Sequence, residues 1–213
     1  MLTSAALSII PALICITFHE LAHGFTAYRL GDRTAKDMGR LTLNPIKHID
    51  VLGLLMMMFF RFGWAKPVPV NMNNFKWPKW YMAITAVAGP LSNIVLAAAI
   101  LFTFGLILTP LGGFNTWAGG GVIIDIVIRT AYISVALAVF NLVPIPPLDG
   151  SKVLFSLLSE SMYYRLMRYE RYGMIVLILV LNTGVFRNTI GRLTQTIFDN
   201  LFVLAEFSYR LVN

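Results

Sequence analysis

Charge is scarce in this chain. Asp, Glu, Lys and Arg make up 13% of its 213 residues, where a soluble domain carries roughly a quarter. Apolar residues fill 57% and the mean hydropathy is +0.72. Such a chain cannot satisfy a water-exposed surface, so it belongs in lipid. Cysteine is nearly absent as well: Cys15 stands alone, which excludes an intrachain disulfide and a fold stapled for an oxidising compartment. The first apolar stretch lacks the basic leader of a secretory signal, so it reads as a retained helix. Internal repeats, low-complexity tails and a second polar module are missing too. The expected organisation is one membrane domain over residues 1–213.

The 17 Lys and Arg outnumber the 10 Asp and Glu, but they flank apolar runs instead of forming a polar basic module, so nucleic-acid binding is excluded as the meaning of the excess. Their distribution carries orientation. Nine of them fall between Arg29 and Lys79, and residues 105–121 hold no charge at all. Basic loops stay in the cytoplasm, which puts the Arg29–Lys79 and Lys152–Arg171 segments inside and Met1 outside.

A span needs about 20 apolar residues. Ser4–Tyr28, Tyr81–Leu108 and Val122–Val143 meet that length, and Tyr172–Phe186 is a shorter candidate. Ile190–Val212 is broken by Arg192, Asp199 and Glu206, so it reads as an amphipathic helix with Ile190, Leu193, Ile197 and Leu201 toward acyl chains. The expected fold is an all-α polytopic membrane protein of about four to five transmembrane helices. Val51–Phe60 is too short to cross and suggests a membrane-associated hairpin, tolerated where protein or water shields it. In the extended segment after it, Pro67 and Pro69 forbid regular helix; the Pro67–Phe75 stretch offers a strand edge near the site.

Within the first apolar stretch lies His19-Glu20-Leu21-Ala22-His23. Residues four apart on a helix share a face, with Cβ atoms about 5–6 Å apart, so His19 and His23 can ligate one zinc ion. Glu20 is then the general base for a metal-activated water. Cys15, four residues before His19, is a small buried core residue sooner than a ligand. A hydrolytic zinc site takes three protein ligands and keeps one position open. The third is Asp149 or His48. Asp149 is the better candidate, because an acid at the end of a span needs a partner, whereas His48 beside Lys47 needs no metal to explain it. His19 lies about 22 Å along its helix, counted from Ser4 at 1.5 Å per residue, and Val122–Val143 descends to Asp149 at the same cytoplasmic depth. Asp125 and Arg129, four apart, suggest an intrahelical ion pair.

In combination and order, several motifs resemble the site-2 protease family of intramembrane zinc metalloproteases. They are Phe18-His19-Glu20-Leu21-Ala22-His23-Gly24-Phe25, the run from Gly39 to Asp50, the Gly63–Asn71 run, Ala88-Gly89-Pro90-Leu91-Ser92-Asn93, and the proline-rich stretch ending Leu148-Asp149-Gly150. They cover most of residues 18–155. The resemblance implies that His19, His23 and Asp149 bind zinc, that Glu20 activates water, and that Asn93 and Asn141 approach the substrate. It implies a membrane-spanning substrate, one single-span helix cut within or near the bilayer. The expected residence is a prokaryotic cell membrane, with the active site toward the cytoplasm by the distribution of basic residues. No PDZ or CBS module is recognisable. Two other classes stay open: a non-catalytic scaffold binding partner helices, against which Glu20 argues, and a metal-ion transporter, against which the clustering of ligands at one end argues.

Overall fold

The computed structural model describes residues 2–50, 52–53, 65–108 and 121–212. Its elements in order are α1 (Leu2–Arg29), the short α2 (Thr34–Asp37), α3 (Pro78–Leu108), α4 (Gly121–Asn141), α5 (Asp149–Ser156), α6 (Glu160–Tyr169), α7 (Gly173–Leu181) and α8 (Gly184–Leu211). Short 3₁₀ turns stand at Pro45–His48, Met72–Asn74 and Glu170–Tyr172. Among the described residues there is no β-strand.

Among the described residues three helices are long and apolar enough to cross a membrane: Ser8–Arg29 within α1, Pro78–Leu108 and Gly121–Asn141. A fourth crossing results if Glu160–Leu181 and Gly184–Leu211, bent by 88° at their junction, form one broken span. The protein is a small polytopic helical membrane protein, with three crossings, or four if the bent pair is one span, where about four to five were expected. The membrane-associated hairpin expected at 51–60 lies almost entirely outside the described residues.

At the centre stands α3, packed against α1, α4, α5 and α8. Its inner face carries Ala97, Leu101, Phe104 and Leu108, which meet Ala131, Val135 and Val139 of α4 and Phe198 and Ala205 of α8. Helices in lipid gain little from apolar burial against one another, so small residues that let backbones approach, and bonds between helices, do the joining. Ser134 of α4 donates to the Asn93 carbonyl of α3 at 2.8 Å, and the Cys15 thiol meets the Thr130 carbonyl at 3.4 Å. The outer faces present Ile10, Phe25, Leu91, Val95 and Ile123, as lipid contact requires.

The C-terminal helix departs from expectation. Ile190, Ile197 and Leu201 pack onto the protein core instead of facing acyl chains, and only Leu193 of that expected face is exposed. The reason is tertiary: Thr194, Phe198, Ala205 and Ser208 present a narrow buried stripe for which α3 and α4 supply the partner. Tyr172–Phe186 does not form one helix either, since α7 ends at Leu181 and Thr183 caps α8 by accepting from the Phe186 N–H. Asp125 and Arg129 pair within α4 at 3.8 Å.

Candidate metal centre

His19 and His23 occupy one face of α1, and α3 crosses that face at Gly89. A Cβ on Gly89 would run into both imidazoles, so glycine is required for the histidines to lie against α3. One turn earlier, the Thr85 carbonyl accepts from His23 Nδ1 at 2.7 Å. That bond places the proton on Nδ1 and leaves Nε2 as a lone-pair donor, the tautomer a metal ligand needs.

Asp149 begins α5, after the irregular 142–148 turn. Gly150 permits this turn, because a Cβ there would strike the Leu142 carbonyl. The carboxylate divides its two oxygens: Oδ2 lies 3.1 Å from His19 Nε2 and 3.1 Å from His23 Nε2, while Oδ1 faces Lys152 Nζ at 3.6 Å. The two Nε2 atoms are 3.0 Å apart. Three electron-rich atoms thus form a nearly equilateral triangle among buried side chains. A single proton satisfies one of these three contacts at a time, whereas one cation satisfies all of them. Tetrahedral zinc with bonds of about 2.0–2.1 Å sets its ligand atoms about 3.3 Å apart. The donor set therefore fits zinc, with two neutral imidazoles and one carboxylate and room for a fourth position.

Glu20 stands outside the triangle. Its Oε2 accepts from the Val68 N–H at 2.7 Å, a charge-assisted bond of the kind that contributes about 1.5–3 kcal/mol. His19, Glu20, His23 and Asp149 line a cavity of about 450 Å³ together with Pro67, Val68 and Asn141. The two asparagines separate. Asn141 is on the cavity wall, with its amide N–H bonded back to Leu137. Asn93 is fully buried with its amide 3.4 Å from His19 Nδ1, behind the ligand and away from the cavity. With the carboxamide turned so that Oδ1, otherwise buried without a partner, faces Nδ1, Asn93 accepts from His19 as Thr85 does from His23, fixing the ring and its tautomer. His48 is not in the cluster: it is buried in its own loop, with Nε2 2.9 Å from the Thr42 carbonyl. Cys15 is also elsewhere, as its contact with α4 requires.

The segment opposite the ligands, from Ala65 to Asn71, has no regular secondary structure and pairs with no strand among the described residues; Pro67 and Pro69 bias it to extended geometry, and Asn71 at its end is extended. Met72–Asn74 leaves it as a 3₁₀ turn capped by the Asn71 side chain, so the strand edge expected over Pro67–Phe75 does not form as a strand among the described residues; Pro67 and Pro69 lack the N–H groups a ladder needs. Both its ends are tied. Arg40 Nη2 donates to the Lys66 and Pro67 carbonyls, and Asp32 accepts from the Asn71 N–H and the Asn74 amide, both at 2.7 Å. Asp32 is buried at the end of α1; burial alone would raise its pKa, but the bonds from Thr34, Asn74 and Asn71 hold its carboxyl below the usual value. Thr85 lies in no motif, and the motifs that contain Gly89 and Val68 do not by themselves say that these two residues touch the site. The Gly89-Pro90 pair inside a span is the available signal, since neither residue favours a helix interior.

The fold and the site define a helical membrane protein of metallopeptidase type, with an H-E-x-x-H helix, a distant aspartate and an open cavity. Comparisons with known proteins agree. The model of Peptidase family M50 matches residues 107–182. A Bacillus subtilis (strain 168) protein named "Putative zinc metalloprotease YwhC" is 38% identical over 210 residues, covering 91% of this chain and 93% of its own. The Rip2 protein of Mycolicibacterium smegmatis, named in the same terms, is 28% identical over 88% of this chain and 71% of its own. MJ0611 of Methanocaldococcus jannaschii, likewise a zinc metalloprotease by name, is 33% identical over 64% of this chain and 63% of its own. No solved structure gives a significant match. The chain belongs to peptidase family M50, the site-2 protease family.

Proposed function

We propose that this protein is an intramembrane zinc metalloprotease, a single domain that hydrolyses peptide bonds in membrane-spanning segments. The observation that carries the reading is the Nε2–Nε2–Oδ2 triangle with Glu20 beside it at the wall of an open cavity. His19, His23 and Asp149 would hold one zinc ion. Zinc supplies a Lewis acid that makes water nucleophilic near neutral pH and polarises a carbonyl.

The chain's own groups do the rest. Glu20 Oε2 is engaged by Val68, so Oε1 is the oxygen that takes the proton from the attacking water and returns it to the leaving amine. Asn141 lines the cavity, within which an amide can donate to the oxygen of the tetrahedral intermediate. A transmembrane helix hides its amides, so the substrate, a single-span helix, must unwind locally, and Val68–Val70 offers backbone for it to lie against. The site sits at the end of the bundle where α1 finishes at Arg29 and α3 begins beside Lys79. That basic end is the cytoplasmic one by the charge rule, in a prokaryotic cell membrane.

Purified protein in detergent, given a panel of single-span membrane peptides, tests this beside Glu20→Gln with zinc measured in both. Cleavage by the wild type, a loss of about 10²–10⁴-fold in the variant and equal zinc in both are expected. Bound zinc without cleavage of any peptide favours the helix-binding scaffold; absence of zinc from both proteins would sink the site.

A further inference from the structure

Arg40 carries its charge into the protein with no acid to receive it. The residue is 9% exposed, no Asp or Glu among the described residues lies within ion-pair distance of it, and its Nε is buried without a partner. A guanidinium held this way is costly unless its remaining bonds have a purpose. Those bonds go to two successive carbonyls, Lys66 at 2.9 Å and Pro67 at 3.2 Å. The same Gly39–Asp50 loop grips Lys66 a second time, its N–H donating to the His48 carbonyl at 3.0 Å.

The residue that follows is Val68, whose N–H meets Glu20. Pro67 and Pro69 have no N–H to give, so the stretch 67–70 has two donors, Val68 and Val70, and the first is committed to the carboxylate. Among the described residues no strand neighbour fixes its direction. The Arg40 side chain and the His48 carbonyl hold its start instead.

We infer that Arg40 is a positioning residue for Glu20: by holding the Lys66 and Pro67 carbonyls it aims the Val68 N–H at Oε2 and keeps that carboxylate beside His19 and His23. The inference rests on the reading of Glu20 as the base. Lysine at this position keeps the charge but lacks the flat fork of donors, so Arg40→Lys restores the function in part.

The test uses the zinc-loaded full chain as wild type, Arg40→Ala and Arg40→Lys. Three quantities are read: amide hydrogen exchange in fragments spanning 67–70, zinc per chain, and kcat and KM separately for a cleaved single-span peptide. In Arg40→Ala the Val68 amide should exchange about tenfold faster or more, the loss expected for a bond to a charged acceptor. Zinc should stay unchanged, and kcat should fall by a similar factor with KM held. Arg40→Lys should lie between. Unchanged protection of Val68, or lost protection with unchanged kcat, would overturn the inference. So would faster exchange throughout α1 and α3 with loss of zinc, which would make Arg40 a support of the fold at large. Should the wild type cleave nothing, the protease reading fails by itself, and exchange at Val68 still decides whether Arg40 aims that amide.

Discussion

On one wall of the cavity, His19, His23 and Asp149 stand on α1 and α5 with a buried support behind each histidine; on the other, residues 65–71 run without a strand neighbour among the described residues and are held by Arg40, His48 and Asp32. Each construction suits the task proposed for it. Metal ligands must keep their spacing to within a few tenths of an ångström, and a helix backed by a second helix provides that rigidity. A wall that is to receive a peptide backbone must leave hydrogen-bonding groups free, which a strand already paired inside a sheet cannot do. Holding such a segment by side chains at its two ends keeps it extended while its middle faces the cavity.

The largest effect that would break this contrast is on the helical wall. Gly89→Ala puts a methyl group where the two imidazoles lie, and small-to-large changes in packed surroundings force shifts of the neighbours. Zinc per chain should fall to near zero, with cleavage lost alongside, while helicity by circular dichroism persists. Full zinc occupancy in Gly89→Ala would mean that α3 does not set the ligand positions.

A smaller effect separates the two histidines. Removing an outer partner of a metal-bound histidine costs about 10–100-fold in affinity, so Asn93→Ala should weaken zinc by that factor, read by competition with a chelator. Its affinity for substrate should not change, because Asn93 has no surface on the cavity. An altered KM with normal zinc affinity would instead return Asn93 to the substrate side.

The smallest effect concerns the extended wall's anchor. Asp32→Asn keeps the shape but turns one acceptor into a donor facing the Asn71 N–H, a loss of about 1–3 kcal/mol, to be read as a lower Tm. Asp32 has a folded pKa depressed below 3.8. Its contribution is therefore complete above that value and is lost as pH falls through the lower folded value. In metal-free protein, the acid limb of the Tm profile below pH 4 should flatten in Asp32→Asn. An unchanged limb would show that other carboxylates carry it.

Much of the helical wall is legible in the sequence. Two histidines at i and i+4 share a face in any α-helix, and three apolar runs of span length can do little else in lipid. The meeting places of separate elements are not legible in that way. The face of α8 assigned to acyl chains packs on protein, since an apolar stripe looks the same whether lipid or a neighbouring helix covers it. Asn93 and Asn141 likewise look equivalent in sequence, yet one is sealed behind His19 and the other lines the cavity, according to the rotation of α3 and α4 about their axes.

By itself, then, the sequence determined the membrane class and the His19–Glu20–His23 face, because local periodicity and composition specify these without reference to distant residues, and it pointed to the family through the combination of its motifs. The tertiary structure decided that Asp149 and not His48 joins the histidines 126 and 130 positions away, that Gly89 makes room for them, and that Val68 holds Glu20. Each of those depends on helix crossings and loop closure, which are set by the packing of the whole bundle and not by any one local stretch of sequence.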